Sequence, residues 1–152
     1  DFAPTVDVIA HAVESCQSMG WSVEYACCIY PCVPLLQATD LVDAFTLMQQ
    51  SGGYFAYPVT EYTHPIQRGM RRLSTGNMEF FQPEHELSRT QDLEISYHDA
   101  GQFYWGSATA WKARMRIHSA GVGLVIPNWR VVDIDNAEDW TRAEILFEVL
   151  KR

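Results

Sequence analysis

The sequence predicts an α/β sandwich with a mixed, partly parallel sheet, and three observations carry the prediction. Segments with an apolar face at helical period alternate with short apolar runs along the chain. The first of those runs is continuous rather than alternating, as expected of a strand covered on both faces. A chain of 152 residues with 47% apolar content is also the size and composition of one compact core.

The elements follow in order. Thr5 is placed to cap a first helix in which Val6, Ile9, Val13 and Cys16 share a face, and Gly20 ends it. Val23 to Tyr30 reads as a strand, and Pro31 and Pro34 force a loop after it. Thr39 is placed to cap a second helix with Leu41, Val42, Phe45 and Met48 inward, closed by Gly52 and Gly53. Tyr54 to Thr60 reads as the next strand. From Glu61 to Ser96 the chain is polar, Arg-rich and punctuated by Ser74-Thr75-Gly76-Asn77. That stretch predicts a short ribbon and loops projecting from the main sheet, with Met78 to Phe81 as a small strand. Regular structure resumes at Gly101 to Gly106. Residues 108–114 read as helix, and Gly123 to Ile126 and Arg130 to Val132 as short strands. A final helix from Ala137 places Trp140, Ala143, Phe147 and Leu150 along one stripe. With no repeat and no linker, one domain over residues 1–152 is expected, with 61–97 as an insertion.

Composition excludes several functions. Twelve per cent aromatic and 20% charged residues describe an ordered protein. A net charge of −8 argues against a nucleic-acid backbone or an anionic membrane as partner. A few local Arg residues can still receive an acidic ligand in one cleft. No run of about 18 apolar residues is present, and the opening Asp-Phe-Ala-Pro has neither the basic start nor the apolar stretch of a signal peptide. Of the four cysteines (Cys16, Cys27, Cys28 and Cys32), Cys27 and Cys28 stand side by side in an apolar run and read as reduced, core-filling cysteine of a cytoplasmic protein. The Cys28/Cys32 pair lacks the second ligand pair that zinc requires. The five histidines have no metal-ligand spacing, and no Gly-x-Ser-x-Gly elbow exists.

Doubly wound nucleotide-binding domains ordinarily begin with a strand and a loop that holds phosphates at a helix N-terminus. This chain starts just before a helix and has no Gly-x-Gly-x-x-Gly, Gly-Lys-Ser or Gly-Lys-Thr. A small complete domain and a fragment of a larger one both fit. In a fragment, the exposed strand edges would need covering.

Three constellations could carry chemistry. In Val131-Val132-Asp133-Ile134-Asp135-Asn136, extended backbone would turn Asp133 and Asp135 to one side, where they could share a hard cation. Equally, Asp135 or Asn136 could cap the final helix, with Glu138 and Asp139 favourable in its first turn. The run Tyr97-His98-Asp99-Ala100-Gly101-Gln102-Phe103-Tyr104-Trp105-Gly106 joins polar groups to aromatics, as a sugar pocket requires. It is also a credible core strand with His98 and Asp99 bonded in a turn. Gln67, Arg68, Arg71, Arg72 and Arg89 form a cationic set, and Arg suits bidentate carboxylate binding. The same residues could be a solvated face paired with Glu79, Glu84 and Glu86.

Taken in order, Val8-Ile9-Ala10-His11-Ala12-Val13, Cys28-Ile29-Tyr30-Pro31-Cys32-Val33-Pro34-Leu35, Pro65-Ile66-Gln67-Arg68, Arg89-Thr90-Gln91-Asp92, the 98–106 block and Val132-Asp133-Ile134-Asp135 with Glu138-Asp139-Trp140 resemble the acylneuraminate cytidylyltransferase family. The resemblance runs along nearly the whole chain and is nearest the branch acting on pseudaminic acid. It implies a nucleotide-diphospho-sugar-transferase-like (Rossmann-like) sandwich, incomplete at its N-terminus. It also implies transfer of CMP from CTP to a nine-carbon sialic-type sugar acid, with magnesium on Asp133 and Asp135. Arg89, Phe103 and Tyr104 are implied at the sugar site, and Gln102 and Arg68 lie in the same matching blocks. Tyr30 and Gln67, where sialic-acid-specific members carry Gln and Lys, suit pseudaminic acid or a relative such as legionaminic acid. Residues 61–97 are implied to form a homodimer. The family's basic, Gly-containing loop for the CTP phosphates has no counterpart here, so the isolated chain is expected to be inactive. A non-catalytic sugar-acid-binding or dimerisation module is the alternative.

Overall fold

The computed structural model describes residues 3–150. Helix α1 (Thr5–Ser18) leads to strand β1 (Tyr25–Ile29), helix α2 (Ala38–Ser51) and strand β2 (Phe55–Glu61). A hairpin of β3 (Met70–Arg72) and β4 (Met78–Phe80) follows. The chain continues through β5 (Tyr97–Asp99), β6 (Phe103–Ser107), α3 (Ala108–Lys112), β7 (Gly121–Val125) and α4 (Ala137–Leu150).

The main sheet is mixed. β6 pairs antiparallel with β1 on one side and β2 on the other, β5 continues beside the second half of β2, and β7 lies parallel to β2. β1, β2 and β7 therefore point the same way, and their C-terminal ends share one edge of the sheet. β3 and β4 form a separate two-stranded sheet whose cross-strand partners Arg71 and Glu79 also make a 2.8 Å ion pair.

Side-chain alternation sorts the core into two layers. Phe55, Tyr57 and Tyr104 join Val13, Trp111 and Ile117 on the α1/α3 face. Ala56 and Phe103 join Ala44 and Met48 under α2. A third cluster of Leu35, Val132 and Ala143 seats α4 against the loop after β1. Gly106 makes the first layer possible, because a Cβ there would lie 2.5 Å from Trp111 Nε1 and 2.6 Å from the Phe55 ring. Among the described residues no helix is long and apolar enough to cross a membrane.

Several local expectations are corrected. Thr5 is the first helical residue of α1 rather than its cap. Pro4 precedes it, and the Thr5 hydroxyl bonds Tyr30 Oη instead. Thr39 lies inside α2, which starts at Ala38 behind Gln37 without a side-chain cap. Val42 is 63% exposed, and the inward position of that turn belongs to Asp40. Arg130 to Val132 is not a strand: Asn128–Arg130 is a 3-10 turn, bent because the Arg130 guanidinium is pinned to α2. The helix foreseen over 108–114 stops at Lys112. Along α4 only Ala143 is buried, while Trp140 and Phe147 stay exposed.

Candidate functional site at the strand edge

Of the polar groups singled out by sequence, Tyr30, Asp99, Gln102 and Tyr104 come together near the common edge of β1, β2 and β7. Its centre is an irregularity in the pairing of β2. Asp99 faces Val59 and Trp105 faces Ala56, so six steps along β5–β6 accompany only three along β2. The surplus is absorbed at Ala100-Gly101-Gln102, where Gly101 takes a left-handed φ of 64°. Its N–H donates to Asp99 Oδ1 at 2.8 Å, closing a side-chain turn. This turn fixes the Asp99 carboxylate, whose other oxygen accepts from Tyr104 Oη at 2.7 Å and pairs with His118 Nε2 at 2.7 Å.

Aromatic rings frame that carboxylate. Tyr104 meets the Tyr30 ring edge-on at 5.4 Å and Tyr57 at 6.1 Å, and His118 packs on Tyr57 at 5.0 Å. Tyr30 Oη bonds Thr5 Oγ1 at 2.6 Å, tying the start of α1 to the same edge. Burial, followed by the hydrogen bond to Asp99, pushes the Tyr104 phenol well above its ordinary value, so it remains a donor. Burial and the Asp99 charge shift Tyr57 the same way.

The remaining candidates divide. Gln102 is buried and gives Nε2–H to the Arg130 carbonyl at 2.8 Å, while its Oε1 has no partner among the described residues. Phe103 is wholly buried under α2, on the opposite face from Tyr104; its position is that of a core side chain. Gln67 donates to the Glu94 carbonyl at 3.1 Å within the 61–97 segment. Arg68 and Arg89 are exposed and have no side-chain partner among the described residues. Arg71 is taken by Glu79, as a solvated basic face requires, but Glu84 and Glu86 make no ion pair among the described residues. His98 turns away from the Asp99 carboxylate and packs on Tyr62 at 4.7 Å.

Asp133 and Asp135 follow Val132, which packs on Leu35 where the chain has left β1. Asn136, not Asp135, caps α4: its Oδ1 accepts from the N–H groups of Glu138 (2.9 Å) and Asp139 (3.1 Å). Asp139 reciprocates toward the N–H groups of Asp135 and Asn136, completing a capping box. Both Asp133 and Asp135 carboxylates are thereby left exposed and unengaged among the described residues. No group of three or more His, Cys, Asp or Glu side chains placed to hold a metal exists among those residues. Two free carboxylates nevertheless suit magnesium, which binds through one or two carboxylates with the rest from water and substrate phosphate.

Two cavities flank this edge. One, of about 470 Å³, lies at the ends of β2 and β7 and is lined by Thr60 to Thr63 and Val125 to Asn128. The Thr60 hydroxyl is buried there without a partner among the described residues. The other, of similar volume and apolar, lies between Cys32–Pro34 and α4, beside Ile134.

Sequence reasoning missed His118, Thr5 and the Asp40–Arg130 pair. Each meets its partner across an intervening element, and none stands in a recognisable motif.

An α/β architecture with a mixed sheet and four helices among the described residues is compatible with a nucleotidyltransferase-like fold. No family model matches the chain. Two pseudaminic acid cytidylyltransferases of Campylobacter jejuni subsp. jejuni are 35% and 34% identical to it over 152 residues, 98% of this chain and 65% of each relative. A Helicobacter pylori protein named pseudaminic acid cytidylyltransferase and UDP-2,4-diacetamido-2,4,6-trideoxy-beta-L-altropyranose hydrolase is 32% identical over 136 residues, 88% of this chain and 26% of the relative. The chain is thus similar along nearly its whole length to pseudaminic acid cytidylyltransferases, and it spans just under two thirds of the length of the Campylobacter relatives.

Proposed function

We propose that this chain supplies the sugar-acid-binding, metal-binding and dimer-forming part of a cytidylyltransferase that moves CMP from CTP to a nine-carbon sugar acid, pseudaminic acid by preference. The observation that carries the reading is the strand edge itself. Tyr30, Tyr104 and the Asp99–His118 pair stand together there, and Asp133 and Asp135 are left unengaged by their neighbours. Aromatic faces with a few fixed polar groups are suited to a sugar ring. Arg68 and Arg89 are free guanidinium forks for a carboxylate in a protein of net charge −8.

Asp133 and Asp135 would hold magnesium. Such an ion neutralises charge on the attacked phosphate and makes the attacking hydroxyl easier to deprotonate. The chain's own residues do the rest: Tyr104 and Tyr30 orient the ring, and Gln102 offers a buried acceptor, Oε1. Phe103 supports Tyr104 from the other face of β6 rather than touching the ligand.

The 61–97 segment supports the dimer reading through its apolar exposure. Met70, Met78, Phe81 and Leu87 are all exposed, Leu87 at 94%. Side chains of this kind gathered on a short hairpin and its flank mark a surface for another chain. Isothermal titration with pseudaminic acid, and pyrophosphate release in the presence of CTP and magnesium, test the reading. Sugar-acid binding with little or no turnover is expected, because the chain has no phosphate-cradling Gly-rich motif. Absence of any sugar-acid binding would overturn it, and robust turnover would overturn the expected dependence on a phosphate cradle.

A further inference from the structure

The Asp99–His118 pair has a chemical consequence that depends on which ring nitrogen is engaged. Nε2 lies 2.7 Å from Asp99 Oδ2. A carboxylate accepts only, so the neutral imidazole must carry its proton on Nε2. Nδ1 then presents a lone pair. It has no partner among the described residues, and the side chain is 63% exposed while its Asp99 partner is only 25% exposed.

Several contacts hold the ring in that pose. It stands edge-on to Tyr57 at 5.0 Å and to Tyr104 at 6.4 Å. Tyr57 Oη reaches the His118 carbonyl at 3.4 Å, fixing the backbone that carries it. Asp99 is itself fixed by Gly101 N–H and Tyr104 Oη. The result is an acceptor of fixed direction beside the Tyr104 ring, supported by a half-buried carboxylate.

We propose that His118 is a specificity-determining contact for the sugar acid: its Nδ1 accepts a hydrogen bond from an N–H or O–H group of the bound sugar, and Asp99 is the positioning residue that sets the tautomer. The proposal rests on the sugar-acid reading of this edge. No proton is transferred; the dyad recognises a donor. Acylamino N–H and hydroxyl O–H are the two donors a nine-carbon sugar acid can offer, and analogues lacking one or the other distinguish them.

The test combines calorimetry with 15N spectra of the imidazole at a pH where the ring is neutral. Wild-type protein is expected to show the Nε2–H form. Asp99→Asn offers an amide N–H to Nε2 and should invert the tautomer while the fold persists by circular dichroism. With a donor now facing the ligand, sugar-acid affinity should fall about tenfold, the scale of one hydrogen bond. His118→Phe should lose as much, whereas His118→Gln, which keeps an N–H for Asp99 and an outward carbonyl, should recover most of it. A wild-type Nδ1–H form, or unchanged sugar-acid affinity in both Asp99→Asn and His118→Phe, overturns the proposal. If the wild-type chain shows the Nε2–H form and binds no sugar acid, the underlying functional reading falls instead, and the role of His118 with it.

Discussion

Asp40 and Arg130, ninety residues apart, meet as a buried two-pronged ion pair with contacts of 2.6 and 3.1 Å. The pair clamps the first turn of α2 to the 3-10 turn that precedes Asp133, and the Arg130 carbonyl accepts from Gln102. Removing one partner strands the other charge in the interior. Asp40→Ala should therefore cost about 3–5 kcal/mol in urea unfolding. An Asp40→Leu/Arg130→Met double variant should regain much of that loss, because two apolar side chains bury no orphan charge. A double variant as unstable as Asp40→Ala would mean that the clamp is worth more than its desolvation.

The same pair marks the limit of what the sequence discloses. Helix and strand order was legible because apolar period reports burial, and α1, α2, β2 and α4 fall within a few residues of expectation. Caps were read less well: Thr5 and Thr39 have the right chemistry, but tertiary demands on Tyr30 and the inward turn of Asp40 decide the helix starts. At the site, Tyr30, Gln102 and Tyr104 stood out through their motif blocks. His118 did not, because its partner lies nineteen residues back across α3 and no local pattern encodes that fold-back. Phe103 shows the converse limit: its matching block does not tell which face of the strand it takes, and the structure buries it under α2.

Gly106 should tolerate no side chain. A methyl group there meets Trp111 Nε1 at 2.5 Å and Phe55 carbons at 2.6 Å, and Trp111 is anchored by its own bond to the Ala26 carbonyl at 3.1 Å. Gly106→Ala should lower stability by about 1–3 kcal/mol or more through overpacking. Gly53→Ala is a suitable contrast, because its tightest neighbour is the movable Ser51 hydroxyl at 3.2 Å. Thermal unfolding of the two variants should separate them clearly.

The cysteines should differ in reactivity and in their response to alkali. Burial first, then the neighbouring Cys28, pushes the Cys27 thiol from 9.0 up to about 12. Cys32 is exposed. At pH 8 a maleimide should label Cys32 rapidly and leave Cys27 unmodified in the folded chain, as peptide mapping can show. Because the folded-state value is raised, the native state holds the Cys27 proton more tightly. Its contribution to stability is complete below pH 9 and is lost progressively between 9.0 and about 12. Cys27→Ala should flatten that part of the pH–stability curve, and an unchanged alkaline slope would reassign it to other groups.

Capping and the proposed metal binding compete in the sequence for the same few residues; in the structure the cap falls to Asn136 and Asp139, so the two roles should separate by mutation. Asn136 holds the N-terminus of α4 through two backbone N–H groups. Asn136→Ala should cost about 1 kcal/mol of stability while leaving the affinity for magnesium, or for manganese as a paramagnetic reporter, nearly unchanged. Asp133→Asn and Asp135→Asn should do the opposite. Neither carboxylate supports the cap, so stability should hold, and each should lower metal affinity at least about tenfold, since even outer-shell partners of a metal cost that much. Manganese-induced relaxation of nearby amide signals reads binding directly, with unfolding measured in parallel on the same samples. Equal metal affinity in the wild type and in both Asp variants would remove the metal from these residues and leave 133–136 as a helix entry alone.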